Sequence, residues 1–133
     1  MDQRITLITL GVEDLQAMTK WYEKVFQWER MSEDEGVSFF RLNGMILGLY
    51  PSNMLADDAG VQQDGSGFKR FSLAINFRSE AEVDIVFEAL RKRGATILKP
   101  AEKAFWGGYS GYVSDPENNL WEIAYNPFWK FDE

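Results

Sequence analysis

The sequence predicts an α+β fold built from two β-α-β-β-β modules, and three observations carry that prediction. Strand-like and helix-like apolar spacings occur twice in the same order. The two halves overlay, with Leu7-Ile8-Thr9-Leu10-Gly11-Val12 on Ser72-Leu73-Ala74-Ile75-Asn76-Phe77 and Leu47-Gly48-Leu49 on Trp121-Glu122-Ile123. Between them lies a stretch, residues 51–70, rich in Gly, Asp, Ser, Gln and Asn, which reads as a loop or lid. With 133 residues there is room for one domain, expected to hold two repeats, about 4–50 and 71–126, joined by that loop. Two curved mixed sheets paired pseudo-symmetrically leave a groove or half-open cavity between them.

Each element has its own local reason. Ile5 to Leu10 alternates with Thr6 and Thr9 and reads as a strand. Asp14 is a suitable N-cap for a helix through about residue 27, since Leu15, Met18, Trp21, Tyr22, Val25 and Phe26 recur at helical spacing. A short strand over Trp28–Met31 and another over Val37–Leu42 flank the acidic turn Ser32-Glu33-Asp34-Glu35-Gly36. Asn43-Gly44 is a strong hairpin signal that returns the chain through Met45 to Tyr50.

The second half opens with a strand over Phe71–Phe77. Ser79-Glu80-Ala81-Glu82 reads as a capping box, in which each side chain satisfies a free amide at the helix start. Val83, Val86, Phe87 and Leu90 form the apolar stripe, and Gly94 ends the helix after Lys92 and Arg93. Ala95–Lys99 is a strand expected to halt at Pro100. Tyr109–Ser114 and Leu120–Tyr125 are the last two strands. They are joined by Asp115-Pro116-Glu117-Asn118-Asn119, where Asn118 or Asn119 can adopt a left-handed backbone.

The absences narrow the chemistry. The chain has no Cys, hence no thiolate nucleophile, disulfide or Cys-held metal. It has no His, which removes the usual catalytic triad, His-ligated metals and an imidazole switch. Acid–base work falls to carboxylates, Tyr, Lys or water. A net charge of -7 argues against nucleic acid and against an anionic membrane surface. No apolar run approaches the roughly 20 residues of a membrane span, and the N-terminus does not read as a signal peptide. A cytoplasmic location is the expectation.

Four segments resemble the vicinal oxygen chelate superfamily of glyoxalase I, bleomycin-resistance proteins and extradiol dioxygenases. They are Gly11-Val12-Glu13-Asp14-Leu15, Trp21-Tyr22, the run from Phe105 to Tyr112, and Asp115-Pro116-Glu117-Asn118-Asn119-Leu120-Trp121-Glu122. The resemblance covers nearly the whole chain and points to a glyoxalase-like branch. It implies the glyoxalase/bleomycin-resistance fold, a homodimer, and a ligand held inside the sheets. The metal enzymes of that superfamily take ligands at positions that here are Leu7, Gly48, Ser72 and Glu122. Only Glu122 keeps a ligand type, and one carboxylate beside Leu and Gly cannot hold a hard divalent ion. The expectation is a site with no metal and no cofactor.

Glu122 is thus the first candidate, as an anchor for a ligand or as a general base. A sheet carboxylate paired with Arg or Tyr, or simply solvated, is the structural alternative. Trp106, Tyr109 and Tyr112 form an aromatic set punctuated by Gly107, Gly108 and Gly111, suited to an aromatic or amphipathic ligand. Thr9, Tyr50, Ser72 and Asn76 share the strand parity of the expected cavity face. The tail Asn126-Pro127-Phe128-Trp129-Lys130-Phe131 carries three aromatics that need covering by this chain or a second subunit. Two function classes follow. One is metal-independent binding of a small aromatic, amphipathic or cationic molecule. The other is a lyase or isomerase in which Glu122 carries a proton and Tyr or Ser donors stabilise an enolate-like oxygen.

Overall fold

A computed structural model describes residues 1–130; Phe131 of the aromatic tail lies outside the described residues. The chain divides into two units, one running from Met1 to Ser66 and one beginning at Gly67. The fold class is α+β, as the sequence indicates, with one mixed sheet in each unit.

In the first unit the order is β1 (Leu7–Val12), α1 (Leu15–Trp21), β2 (Ser38–Arg41), β3 (Ile46–Pro51) and α2 (Ser52–Ala59). β1 pairs parallel with β3, and β3 antiparallel with β2. Asp14 caps α1 by accepting the Ala17 amide at 3.0 Å. The helix then widens into a π-helical segment, Tyr22–Phe26, and ends at Gln27 in a left-handed conformation (φ 59°). Rings crowd this segment: Phe26 lies edge-on to Tyr22, centroids 5.3 Å apart, and to Trp28 at 4.9 Å. Alternate strand residues Leu10, Val12, Phe40, Leu47 and Leu49 bury with Met18, Tyr22 and Val25 of the helix.

Three expectations are corrected here. β1 lies two residues later than the Ile5–Leu10 reading, because its partner β3 begins at Ile46 opposite Leu7. Trp28–Met31 forms only an isolated bridge, Arg30 to Phe40. The chain leaves the ladder there because Arg30 Nη2 draws the following turn over itself, donating to the carbonyls of Asp34 (2.6 Å) and Val37 (3.4 Å). The 51–70 stretch is not wholly loop. Pro51 supplies the helical entry, Ser52, Leu55 and Ala56 are half-buried at helical spacing, and Gly60 (φ 74°) ends α2. Within this helix Asn53, Asp57 and Asp58 lie on the exposed side, and the remaining polar residues follow it without regular structure. Asn43-Gly44 does turn the chain, but only Gly44 takes positive φ (88°), so the type I′ geometry is not used.

The second unit completes the module: β4 (Leu73–Asn76), α3 (Glu80–Lys92), β5 (Thr96–Lys103), β6 (Tyr109–Ser114) and β7 (Leu120–Tyr125). The strand order is β4-β7-β6-β5, with β4 parallel to β7 and the others antiparallel. Ser79 Oγ accepts the Glu82 amide at 3.1 Å, and Glu82 reaches back to the Arg78 amide at 3.0 Å rather than to that of Ser79. Val83, Phe87 and Leu90 bury with Val113, Trp121 and Ile123. The 115–119 turn is held by buried Asp115, which accepts from the amides of Glu117 and Asn119 and from the Asn119 side chain; Asn118 is the left-handed residue (φ 66°).

Pro100 does not stop β5, contrary to expectation. β5 is the edge strand of this sheet, where a missing N–H is tolerated, and its register shifts on both sides of Lys99. That irregular passage depends on Gly111 opposite. A Cβ there would lie 2.5 Å from the Lys99 carbonyl oxygen and 2.6 Å from the Phe87 ring.

The two units repeat one register. In the first, Thr9, Gly48 and Phe39 stand in a row across β1-β3-β2. In the second, Ala74, Glu122 and Tyr112 stand in the matching row across β4-β7-β6. Gly111→Ala is expected to destabilise the fold by about 1–3 kcal/mol through overpacking, read as a lowered midpoint in urea unfolding with unchanged slope.

Candidate functional site

Strand alternation gives each sheet one face toward its helix and one away from it. In the second unit the helix side carries Val113, Trp121 and Ile123. The opposite side carries Ser110 and Tyr112 of β6, Glu122 and Ala124 of β7, and Ala74 and Asn76 of β4. Tyr112, Glu122 and Ala74 form one row, and Ser110, Ala124 and Asn76 the next. Glu122, Tyr112, Ser110 and Asn76 are half-buried. Among the described residues none of these four side chains has a hydrogen-bond or ion-pair partner. Four polar groups thus converge on a patch floored by two alanines, with their bonding capacity free.

Lys99 stands opposite Tyr112 in register and bonds Glu102 at 2.9 Å. Its ammonium is held above the ordinary lysine range mainly by the Glu102 hydrogen bond and charge, with a smaller contribution from Tyr112. Tyr112 thus stands in register between Lys99 on β5 and Glu122 on β7.

Tyr109 separates from this patch. Tyr109 lies three residues from Tyr112 and so faces α3, where its hydroxyl donates to Asp84 Oδ1 at 2.6 Å. The grouping of Tyr109 with Tyr112 on one surface is corrected accordingly; counting strand parity would have separated them. Trp106 sits in the β5–β6 turn with its indole over Gly108, where a Cβ would overlap the ring. Gly107 (φ 107°) lies in the same turn and meets the ring of Phe128. Ser72 precedes β4 and is exposed. Ser110, which shares Tyr112's parity, is a residue the sequence reading missed.

In the first unit Thr9 and Tyr50 do share a face, with Leu7, Gly48 and Phe39. α2 packs on this same side: a Cβ on Gly11 would lie 3.2 Å from Leu55 Cδ2. A cavity of about 320 Å³ opens on the other side, between α1 and the 33–35 turn, lined by Leu15, Thr19, Lys20, Arg30 and Ser38 among others. Within it the Thr19 and Ser38 hydroxyls bond at 2.6 Å, and Thr19 donates onward to the Leu15 carbonyl.

The family model described as the Glyoxalase/Bleomycin resistance protein/Dioxygenase superfamily matches residues 4–123. The chain belongs to that superfamily. The vicinal oxygen chelate resemblance read from the four sequence segments is thereby established. A glyoxalase-related enzyme from Fulvimarina pelagi is 36% identical, with a TM-score of 0.87 over 98% of this chain and 93% of that one. A glyoxalase/bleomycin resistance protein/dioxygenase from Nocardioides is 24% identical, with a TM-score of 0.83 over 100% of this chain and 90% of that one. A lactoylglutathione lyase from Agrobacterium tumefaciens, at 23% identity and a TM-score of 0.71 over 99% and 100%, shares the fold.

The superfamily's metal does not fit the residues present. In the first unit the resemblance carries the ligand positions to Leu7 and Gly48, which offer no side-chain donor; a Cβ on Gly48 would be 3.4 Å from Leu7 Cδ1. In the second unit they are Ser72 and Glu122. Among the described residues no three acidic, His or Cys side chains are grouped to hold an ion. No step is therefore derived through a metal.

The Tyr109–Asp84 bond raises the tyrosine above its ordinary value, chiefly through the hydrogen bond itself, then desolvation and the Asp84 charge. A raised folded-state value means the contribution is full below the ordinary tyrosine range and is lost as pH rises through the raised one. It is a small contribution because the pair faces solvent. Asp84→Asn is expected to bring one tyrosine back toward its ordinary value, seen in a spectrophotometric tyrosinate titration.

Proposed function

We propose that this superfamily member binds a small amphipathic molecule without a metal, with Glu122 as the polar anchor and Tyr112 as the flat wall beside it. The observation supporting this is the set of free polar groups around Glu122 on the sheet face away from α3. A half-buried carboxylate with no protein partner among the described residues bonds to water, which a bound donor can replace. Ala74 and Ala124 leave room above the sheet, and the hydroxyls of Tyr112 and Ser110 and the Asn76 amide supply further bonds. A carboxylate only accepts, so the complementary group on the ligand is a donor and best a cation. The ligand class is an aromatic or amphipathic amine.

The juxtaposition of Tyr112 and Glu122 also favours the second reading, a lyase or isomerase in which the carboxylate takes a proton and the phenol steadies the oxygen left behind. A homodimer belongs to the same proposal, supported by the exposed rings of Phe105, Phe128 and Trp129. Light scattering that reads a monomer at high concentration would remove the dimer.

The anchor is tested by tryptophan-fluorescence titration with paired aromatic amines and their isosteric carboxylic acids. The amine of each pair is expected to bind about tenfold tighter or better, the size of one charge-assisted hydrogen bond. Glu122→Gln is expected to erase that preference, and Tyr112→Phe to weaken both members. Equal binding of amine and acid by the native protein would sink the anchor.

A further inference from the structure

The repeated register brings Gly48 and Glu122 to the same place in their own sheets, with Phe39 matching Tyr112. The two rows differ in how that place is filled. In the second unit a carboxylate stands at it with a tyrosine alongside. In the first, a Cβ on residue 48 would lie 3.1 Å from Phe39 Cε1 and 3.3 Å from Cδ1, so the ring leans over the glycine backbone. Leu7 closes the space from the β1 side, its Cδ1 3.4 Å from the same point. Residue 48 is buried, while Phe39 is half-buried and Leu7 is exposed. Leu7 and Gly48 carry no donor atoms in their side chains, and the place a Cβ of residue 48 would take is approached by Phe39 from one side and Leu7 from the other.

We infer that Phe39 is the residue that bars the first unit from metal ligation, its ring taking the volume that a donor side chain at position 48 requires. Restoring donors then requires the ring to give way by a few tenths of an ångström, because a Cβ at residue 48 meets it at distances tighter than ordinary van der Waals contact. Tyr112 does not play this part beside Glu122, since a side chain already stands there. Phe39 thus decides which chemistry this sheet face can offer: a ring surface in place of metal-held oxygens. The inference concerns position 48 and is separate from the role of Glu122. Absent amine preference would end the ligand reading and leave this one standing.

Isothermal titration with Ni²⁺ alone tests it on three variants of the full chain: Phe39→Ala, Leu7→His/Gly48→Glu, and Leu7→His/Gly48→Glu/Phe39→Ala. The introduced imidazole and carboxylate are expected to bind Ni²⁺ at least tenfold tighter once Phe39 is removed, with Phe39→Ala alone as the baseline. Equal affinity with and without the ring overturns the inference, and so does absence of any gain in the triple variant. Should the donor variants fail to fold, a thermal cycle decides. Gly48→Ala is expected to lower Tm by about 3 °C or more in the native background and by far less in Phe39→Ala. The same shift in both backgrounds, or none in either, would show that the ring does not hold that volume.

Discussion

The parallel pairing of each unit's first strand with its last is the constraint on which the remaining structure depends. Once β1 lies beside β3 and β4 beside β7, the period of two assigns every side chain to the helix side or the open side. A slip of one residue would send Trp121 and Ile123 into the open face and Glu122 under α3. The burial of Trp121 and Ile123, with Val83 and Phe87 from the helix, fixes the register against that slip. The exposure of Glu122's side to other chemistry is a consequence of packing on the reverse side of the same strand.

The two sheets of this superfamily member carry different side chains at matching places of one register. In the first unit Leu7 and Gly48 offer no donor side chain, and the Phe39 ring leans over the Gly48 backbone. In the second a carboxylate survives beside a tyrosine, with small residues on its flank. The same register thus supports an apolar face in one unit and a polar one in the other, because strand pairing does not depend on which side chain points away from the helix.

Local signals were the most legible. The Asp14 cap, the Ser79 cap, the left-handed Asn118 and the limits of β6 and β7 follow from residues within a few positions of each other. Errors came where a distant partner decided. Pro100 reads as a strand end until β5 is known to be an edge strand. The polar stretch after Pro51 reads as loop until Leu55 is seen against Gly11. Tyr109 and Tyr112 look like one aromatic set until the alternation sends one of them to Asp84.

By itself the sequence determined the α+β class and the family, since each is a matter of residue type and spacing along the chain. Only the tertiary structure decided that Phe39 leans over Gly48 and that Ser110, Tyr112, Glu122 and Asn76 share adjacent rows across β6, β7 and β4. Those facts depend on which strands lie side by side and in what register. That register is set by burial of residues far apart in the chain, and a linear reading does not contain it.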